Sequence, residues 1–265
     1  MAKGTSPLMP ELPDVEGYRR YFRRYAAGKR IASVEAEPDI LRNTTLRALR
    51  RALTGHRLAE PKRHGKWLIC PANGSRLLLH FGMTGDLVWS GAEPERHRHD
   101  RLVLGLDEGE LRYRNMRKLG GVWLAHPGQD LREVTGPLGP DALRVPATRF
   151  VDLLRAARGG AKAALMNQRR IAGLGNITVD EILWRARIDP RRKLGDLETK
   201  DLERIERTTK EVLRKSIADG RIPASSSWLT SRRGTGDPTC PRCGTRLERR
   251  TVAGRTTYLC PACQG

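Results

Sequence analysis

The sequence lacks long hydrophobic runs and has few aromatic side chains, which make up 5% of its 265 residues. No apolar segment approaches the roughly 20 residues that a membrane-spanning helix requires. The N-terminal segment also lacks the uninterrupted apolar core of a secretory signal. The 27 Gly and 16 Pro residues are too few and too scattered for a collagenous chain. We therefore expect a folded cytoplasmic protein with one large or two modest domains. We also expect it to be a monomer.

Acidic residues are scarce relative to basic ones, with 30 Asp+Glu against 50 Lys+Arg and a net charge of +20. Such a surface attracts polyanions, and binding to nucleic acid adds the gain from counterion release. A membrane binder usually concentrates its charge on one amphipathic helix or tail, whereas arginines here are spread from Arg19 to Arg255. The composition favours a nucleic-acid partner and no membrane partner. A GC-rich genome is the alternative source of the arginine excess.

Cysteine is also rare, but four of the five cysteines form two C-x-x-C pairs near the C-terminus: Cys240, Cys243, Cys260 and Cys263. Two such pairs separated by sixteen residues are typical of a zinc ribbon, in which four thiolates surround one structural Zn²⁺. The alternative, two redox dithiols, requires an active-site helix after the motif, and the short C-terminal tail offers none. Cys70 follows an apolar run and is expected to be a core thiol.

Hydrophobic periodicity predicts an α+β protein whose N-terminal part is an antiparallel β-sandwich with flanking helices. A first helix is expected from Asp14, as its cap, to Gly28, and a second near Thr44–Leu53. Short alternating or apolar runs bounded by turn residues predict the strands, which are Ile31–Ala36, Leu58–Cys70, Arg76–Phe81, Leu102–Leu106, Glu110–Arg114 and Gly121–Ala125.

The segment Thr135–Asp141 is rich in Gly and Pro and predicts a linker, after which the periodicity is helical. The expected helices are Ala147–Arg158, Ala161–Gln168, Ile177–Arg187 and Leu197–Ala218. The predicted domain organisation is a leader, a β-sandwich domain, a linker, a helical domain, and a connection with the zinc ribbon. Residues 1–9 are the leader, 10–134 the β-sandwich domain, 135–148 the linker, 149–222 the helical domain, and 223–265 the connection with the zinc ribbon.

Three glycine-containing loops are candidates for nucleic-acid contact. Gly173–Ile177 precedes a predicted helix, where a backbone turn and the helix N-terminus suit a phosphate, although a plain helix–helix turn has the same pattern. The loops His80–Gly85 and Arg112–Gly121 carry apolar residues, Met83 and Leu119, beside basic ones. Apolar side chains on basic loops suit insertion into a base stack. The alternative is two ordinary hairpins with both side chains in the core.

The segment Pro10–Glu16, Pro-Glu-Leu-Pro-Asp-Val-Glu, adds a more specific pattern. With it, the sequence resembles the formamidopyrimidine-DNA glycosylase/endonuclease VIII (Fpg/Nei) family, whose other motifs follow here in the same order. They are a Gly-Lys-aromatic segment, the His-Phe-Gly-Met-Thr-Gly turn, the Arg-rich loop, Gly-Leu-Gly-Asn and the four-cysteine ribbon. The resemblance implies a helix–two-turn–helix domain. It also implies a bacterial, nucleoid-associated enzyme of base excision repair.

The resemblance assigns this enzyme two linked activities, removal of oxidised or ring-opened bases from duplex DNA and nicking at the abasic site. Pro10 matches the family's nucleophile, a secondary amine that forms a Schiff base with the sugar. Glu11 matches the general acid. Lys66 matches a strand lysine that contacts phosphate and assists elimination, and Arg255 matches the arginine that clamps phosphate. The local alternatives are a solvated charge for Lys66 and a helix-start carboxylate for Glu11.

Further residues match DNA-binding positions of the family. His80, His97 and Asn176 match contacts to the DNA backbone. Met83, Arg117 and Leu119 match the residues that fill the vacated stack and contact the partner base. Additional phosphate affinity is expected from basic side chains, namely Lys62, Arg63 and Lys162.

The sequence departs from the family pattern first at its start, because nine residues precede Pro10. With them attached, the nitrogen of Pro10 is an amide and Schiff-base chemistry is impossible. We expect translation to begin at Met9 or the leader to be trimmed; the alternative is a damaged-DNA-binding relative without catalysis. A zinc-ribbon transcription or RNA-binding factor is the other alternative, but it gives no reason for the segment Pro10–Glu16.

Other departures concern specificity. Asp14 replaces a glutamate, Leu119 stands where a phenylalanine is frequent, and Thr178 replaces the common tyrosine. The segment Arg221–Thr239 is shorter than the one that caps the flipped purine in the 8-oxoguanine-recognising branch. The resemblance therefore leaves oxidised pyrimidines, ring-opened purines and abasic sites as candidate lesions, and makes 8-oxoguanine doubtful. The preferred opposite base and the balance of one against two eliminations stay open.

Overall fold

The computed structural model describes residues 9–91 and 95–265, so that the predicted leader, apart from Met9, lies outside the described residues. The chain forms two compact units. Among the described residues, the first contains Met9 and Pro10 together with Asp14–Pro137, and the second contains Glu11–Pro13 together with Leu138–Gly265. The domain boundaries assigned from the sequence stay predictions.

The first unit is built on two four-stranded antiparallel sheets. Its strands are β1 (Ile31–Ala36), β2 (Lys62–His64), β3 (Trp67–Ala72), β4 (Ser75–His80), β5 (Gly85–Ser90), β6 (Asp100–Leu106), β7 (Gly109–Asn115) and β8 (Gly121–Ala125). One sheet has the order β1-β6-β7-β5 and the other β2-β3-β4-β8. Side chains from both sheets, such as Leu104 and Leu79, share one buried core. The predicted antiparallel β-sandwich is confirmed.

Within residues 9–91 and 95–137, three α-helices accompany these sheets: α1 (Leu12–Tyr25), α2 (Leu46–Leu53) and α3 (Leu131–Thr135). Phe22 of α1 and Leu49 of α2 enter the shared core. Helix α1 begins two residues before Asp14, which lies in its first turn instead of capping it. The predicted strand Leu58–Cys70 is in fact a short hairpin, because Gly65 and Lys66 form a two-residue turn and Gly65 has a φ of +56°.

The second unit combines four helices with a C-terminal hairpin. The helices are α4 (Ala147–Arg155), α5 (Ala161–Met166), α6 (Asn176–Arg185) and α7 (Thr199–Ala218). The hairpin consists of the strands β9 (Glu248–Val252) and β10 (Arg255–Leu259). Every residue of α6 from Ile177 to Trp184 is buried, so this helix is surrounded by protein on all sides. The predicted helical region and zinc ribbon are confirmed, and the fold is mixed α+β.

Among residues 9–91 and 95–265, no helix combines the length and the apolar character needed to cross a bilayer.

Candidate functional site

Glu11 lies fully buried at the N-terminal end of α6. Its Oε2 accepts the backbone N–H groups of Gly175, at 3.0 Å, and of Thr178, at 3.1 Å. The N–H group of Ile177 donates to Oε1 at 2.9 Å, and the hydroxyl of Thr178 donates to Oε2. The first N–H groups of a helix have no partner within the helix and carry its positive dipole end. The carboxylate of Glu11 therefore caps α6.

The loop glycines allow this approach. A Cβ atom on Gly175 would lie 2.2 Å from the carboxyl carbon of Glu11. Gly173 has a φ of +113°, and a Cβ atom there would lie 2.4 Å from the side chain of Leu12. The sequence suggested that these glycines make room for phosphate, but in the structure they make room for Glu11 and Leu12.

The start of α6 also contacts the C-terminal hairpin. The side-chain Nδ2 of Asn176 donates to the carbonyl oxygen of Thr256 at 3.0 Å. Strands β9 and β10 are joined by the turn Ala253–Gly254, in which both residues have positive φ. Arg255 follows this turn directly and is exposed. The second unit thus brings Glu11, Asn176 and the hairpin that carries Arg255 to one place.

Lys162 occupies the interior of the same unit. Its side chain is fully buried, and its Nζ lies 2.6 Å from Oδ1 of Asp180 and 2.6 Å from the hydroxyl of Thr257. Arg233 contacts the other carboxylate oxygen of Asp180. A buried charge needs such compensation, and here the ammonium is enclosed by its partners. The predicted phosphate contact of Lys162 is therefore corrected: this residue links α5 to α6 and β10.

The four cysteines of the ribbon, Cys240, Cys243, Cys260 and Cys263, have their sulfur atoms within 4.8 Å of one another. Individual sulfur pairs are separated by 3.5, 3.6 and 4.0 Å. Tetrahedral Zn²⁺ with Zn–S bonds of about 2.3 Å has sulfur atoms about 3.8 Å apart. The cluster therefore fits one structural zinc ion, as the spacing predicts.

Trp184 of α6 joins this zinc centre to the helices. Its Nε1 donates to the Sγ atom of Cys240 at 3.3 Å, and its ring packs against Leu247 and Tyr258 of the ribbon. A hydrogen bond to a ligating sulfur orients the ligand and tunes its donor strength. Sequence reasoning missed Trp184, because a tryptophan in a helix gives no sign of the partner of its N–H group.

In the first unit, Lys66 and His80 lie near each other. Lys66 is in the turn between β2 and β3, not inside a strand as the resemblance implied, and Trp67 pairs with His80 across β3 and β4. Burial and the charge of Lys66 lower the pKa of His80 to about 4. The imidazole is therefore neutral at pH 7. Its Nδ1 accepts the N–H of Gly82 at 3.3 Å, which assigns the ring hydrogen to Nε2.

Arg63 is buried beside the turn that carries Lys66. Its Nε donates to Oε2 of Glu16 at 3.0 Å, and its Nη1 donates to the carbonyl oxygen of Gly65 at 2.9 Å. The expectation that Arg63 contacts phosphate is corrected, because its side chain has no exposed surface. Instead, the guanidinium holds the turn in position.

Met83 and Leu119 are exposed, at 37% and 55%, so that the alternative that they are core residues is wrong. Buried Asn115 ties their two loops together. Its Nδ2 donates to the carbonyl oxygen of Phe81 at 3.2 Å, and its Oδ1 accepts the N–H of Lys118 at 2.9 Å. These bonds fix the loop backbones while two apolar side chains remain in solvent.

Arg42 binds the backbone of the loop that carries Leu119. Its guanidinium donates to the carbonyl oxygens of Gly120, at 2.7 Å, and of Lys118, at 2.6 Å. Arg117 is exposed, and its N–H donates to the hydroxyl of Thr84 at 3.0 Å. Sequence reasoning missed Arg42 and Asn115; Arg42 lies 78 positions from Gly120, and no local signal connects them.

Two further predicted residues, His97 and Pro10, are placed as follows. His97 is exposed in the connection between β5 and β6, where its N–H donates to Asp100 at 3.0 Å and its Nδ1 accepts the N–H of His99 at 3.2 Å. Pro10 is buried and directly precedes Glu11.

Segments of both units match known protein families. Residues 9–122 match the formamidopyrimidine-DNA glycosylase N-terminal domain, and residues 138–227 match the H2TH domain of the same enzymes. Residues 238–265 match the zinc finger found in FPG and IleRS. A formamidopyrimidine-DNA glycosylase of Pelotomaculum thermopropionicum is 32% identical, over 97% of this chain and 99% of that protein. The chain belongs to the formamidopyrimidine-DNA glycosylase family.

Other members of this family are equally similar. The formamidopyrimidine-DNA glycosylase of Geobacter metallireducens is 34% identical, over 97% of this chain and all of that protein. A solved structure of the Lactococcus lactis enzyme bound non-covalently to DNA with an abasic site has a TM-score of 0.86 and 32% identity. It covers 96% of this chain and 99% of that chain. The same L. lactis enzyme with DNA containing an oxidised pyrimidine has a TM-score of 0.87 and 31% identity, with the same coverage.

Proposed function

We propose that this member of the formamidopyrimidine-DNA glycosylase family is a bifunctional DNA glycosylase and abasic lyase that uses the amine of Pro10. The observation that carries the proposal is the position of Glu11, whose carboxylate accepts four hydrogen bonds at the N-terminus of α6. Because Pro10 is the preceding residue, its nitrogen is held one residue from a fixed acid. Membership of the family supports the same assignment.

The chemistry follows from a proline at a chain start. A terminal amine titrates near pH 8, so an appreciable neutral fraction exists at physiological pH. The lone pair of Pro10 attacks C1′ of the damaged nucleotide, and the bond between C1′ and the base breaks. Attack leaves a proton on the nitrogen of Pro10, and the carboxylate of Glu11 transfers this proton to the sugar oxygen or to the departing base. Opening of the sugar ring then gives an iminium between Pro10 and C1′.

Strand nicking uses the same intermediate. The iminium acidifies the proton on C2′, and loss of that proton expels the 3′ phosphate. The same intermediate also permits a second elimination, which expels the 5′ phosphate. Hydrolysis of the remaining iminium returns the free amine of Pro10. We assign assistance of elimination to Lys66 and stabilisation of the phosphate to Arg255, which is exposed at the start of β10.

The loops of the first unit supply the DNA contacts in this proposal. The exposed side chains of Met83 and Leu119 fill the space that the extruded nucleotide leaves, and Arg117 contacts the partner base. Neutral His80 donates to a phosphate oxygen through Nε2. His97 and Asn176 add further contacts to the DNA backbone.

We propose duplex DNA with oxidised pyrimidines, ring-opened purines or abasic sites as the substrate. The L. lactis relative has been captured with an abasic site and with an oxidised pyrimidine in DNA, which supports this range. We do not include 8-oxoguanine among the proposed substrates, because the segment Arg221–Thr239 is shorter than the one that caps the flipped purine in the 8-oxoguanine-recognising branch.

The test is a nicking assay on a duplex with one abasic site, with the protein terminus verified by mass spectrometry. Protein that begins at Pro10 should nick the strand, and protein that retains the residues before Pro10 should bind the duplex without nicking it. Binding without nicking by protein that begins at Pro10 would contradict the proposal. It would favour the second candidate, a non-catalytic damaged-DNA-binding relative.

A further inference from the structure

We propose that the hydroxyl of Thr178 is a positioning group for Glu11 and that base excision depends on it. The inference rests on the role of general acid proposed above for Glu11. It concerns a buried side chain in the first turn of α6.

The geometry sets this hydroxyl apart from the other donors to Glu11. Gly175, Ile177 and Thr178 donate through backbone N–H groups, which any sequence with this backbone provides. The hydroxyl of Thr178 adds a fourth bond, to Oε2, from a side chain that is fully buried. Oε2 therefore accepts hydrogen bonds from three groups, and two of these groups belong to Thr178.

The length of the threonine side chain explains why it can act in this way. Its hydroxyl is carried on Cβ and reaches the carboxylate from the same residue whose N–H group already contacts it. The hydroxyl of a tyrosine lies at the far end of a ring and cannot occupy this position. Because threonine is β-branched, few side-chain rotamers are available to it, which limits the directions in which the hydroxyl can point.

The charged surroundings of Glu11 do not replace this bond. Lys162 interacts electrostatically with Glu11, but its ammonium is already bound to Asp180 and to the hydroxyl of Thr257. A hydrogen bond to a charged group contributes more than one between neutral groups. The hydroxyl of Thr178 thus fixes the orientation in which Glu11 presents its carboxyl group to the reacting sugar.

The experiment compares Thr178→Val, which keeps the shape and removes the hydroxyl, with Thr178→Ser, which keeps the hydroxyl. Protein verified to begin at Pro10 is assayed in single turnover on a duplex with one ring-opened guanine and on a duplex with one abasic site. The valine variant should release the base about tenfold more slowly, with unchanged duplex affinity and a smaller loss of elimination at the abasic site. The serine variant should restore base release to within about twofold of wild type.

Thr209→Val is the matched control, because Thr209 is also fully buried and its hydroxyl donates to the carbonyl oxygen of Ile205 at 2.7 Å. This variant should leave the rate of base release unchanged. Zinc content and thermal unfolding verify the fold of each variant, and Thr178→Ala takes the place of Thr178→Val if the latter does not fold.

The outcomes separate this inference from the proposed function. Base release by Thr178→Val at the wild-type rate, or by Thr178→Ser at the valine rate, would overturn the inference. Glu11→Gln is assayed in parallel. Wild-type base release by Glu11→Gln would instead overturn the role proposed for Glu11, whereas its loss together with an active Thr178→Val would overturn only the positioning role.

Discussion

His80→Gln should remove a pH dependence of the free energy of unfolding that the first unit owes to one half-buried imidazole. Burial and the charge of Lys66 lower the pKa of His80 from 6.5 to about 4. Between these values the unfolded chain binds a proton that the folded protein excludes, so stability falls as pH falls. The loss from pH 7 to pH 5 is about 2 kcal/mol, and it reaches about 3 kcal/mol below pH 4.

The assay is urea unfolding of wild type and His80→Gln at several pH values between 5 and 8. The difference in the free energy of unfolding between the two proteins cancels the contribution of other groups, including the zinc ligands. Relative to the variant, wild type should lose about 2 kcal/mol between pH 7 and pH 5. His126→Gln, which changes an exposed histidine of the same unit, is the control and should follow wild type. Parallel pH profiles for wild type and His80→Gln would refute the reasoning.

Three further predictions concern charge and zinc. Arg255→Ala should weaken binding to lesion duplex, because Arg255 is exposed. It should also reduce the slope of the logarithm of the association constant against the logarithm of salt concentration by about 1. An unchanged slope would show that Arg255 does not contact phosphate. Lys162→Met should leave that slope unchanged. It should lower the free energy of unfolding by about 3 kcal/mol, because it removes one partner of a buried ion pair. A reduced slope with unchanged stability would instead show that Lys162 contacts phosphate. Trp184→Phe should weaken zinc affinity about tenfold, measured against a competing chelator, because it removes the N–H group that donates to Cys240. Trp228→Phe is its control, since within the described part of the chain the buried Nε1 of Trp228 has no hydrogen-bond partner; equal zinc affinities for the two variants would contradict the role of Trp184.

Local patterns predicted much of the fold. Strands β1 and β8 have the bounds that the apolar runs indicate, Ile31–Ala36 and Gly121–Ala125, because turn residues limit them on both sides. The zinc ligands were also predictable, since the spacing of a C-x-x-C pair is set by one tight turn. Strand β5 was missed, because Gly85 and Asp86 continue the glycine-rich turn and mask the short alternation that follows.

Burial of charge could not be predicted in the same way. A lysine or arginine has the same local sequence signal whether it is exposed or paired in the interior. Lys162 is 18 positions from its partner Asp180, and Arg63 is 47 positions from Glu16. The hydrogen bonds of Glu11 span 164 to 167 positions, so only the folded chain reveals them.

The central claim is that the amine of Pro10 forms a covalent intermediate with an abasic sugar, and borohydride trapping tests it most directly. Protein that begins at Pro10 is mixed with a duplex containing one abasic site, reduced, digested and mapped by mass spectrometry. We predict that the sugar is attached to the nitrogen of Pro10 and that protein retaining the preceding residues gives no adduct. No adduct from a verified Pro10 terminus, or an adduct on a lysine such as Lys66, would contradict the claim.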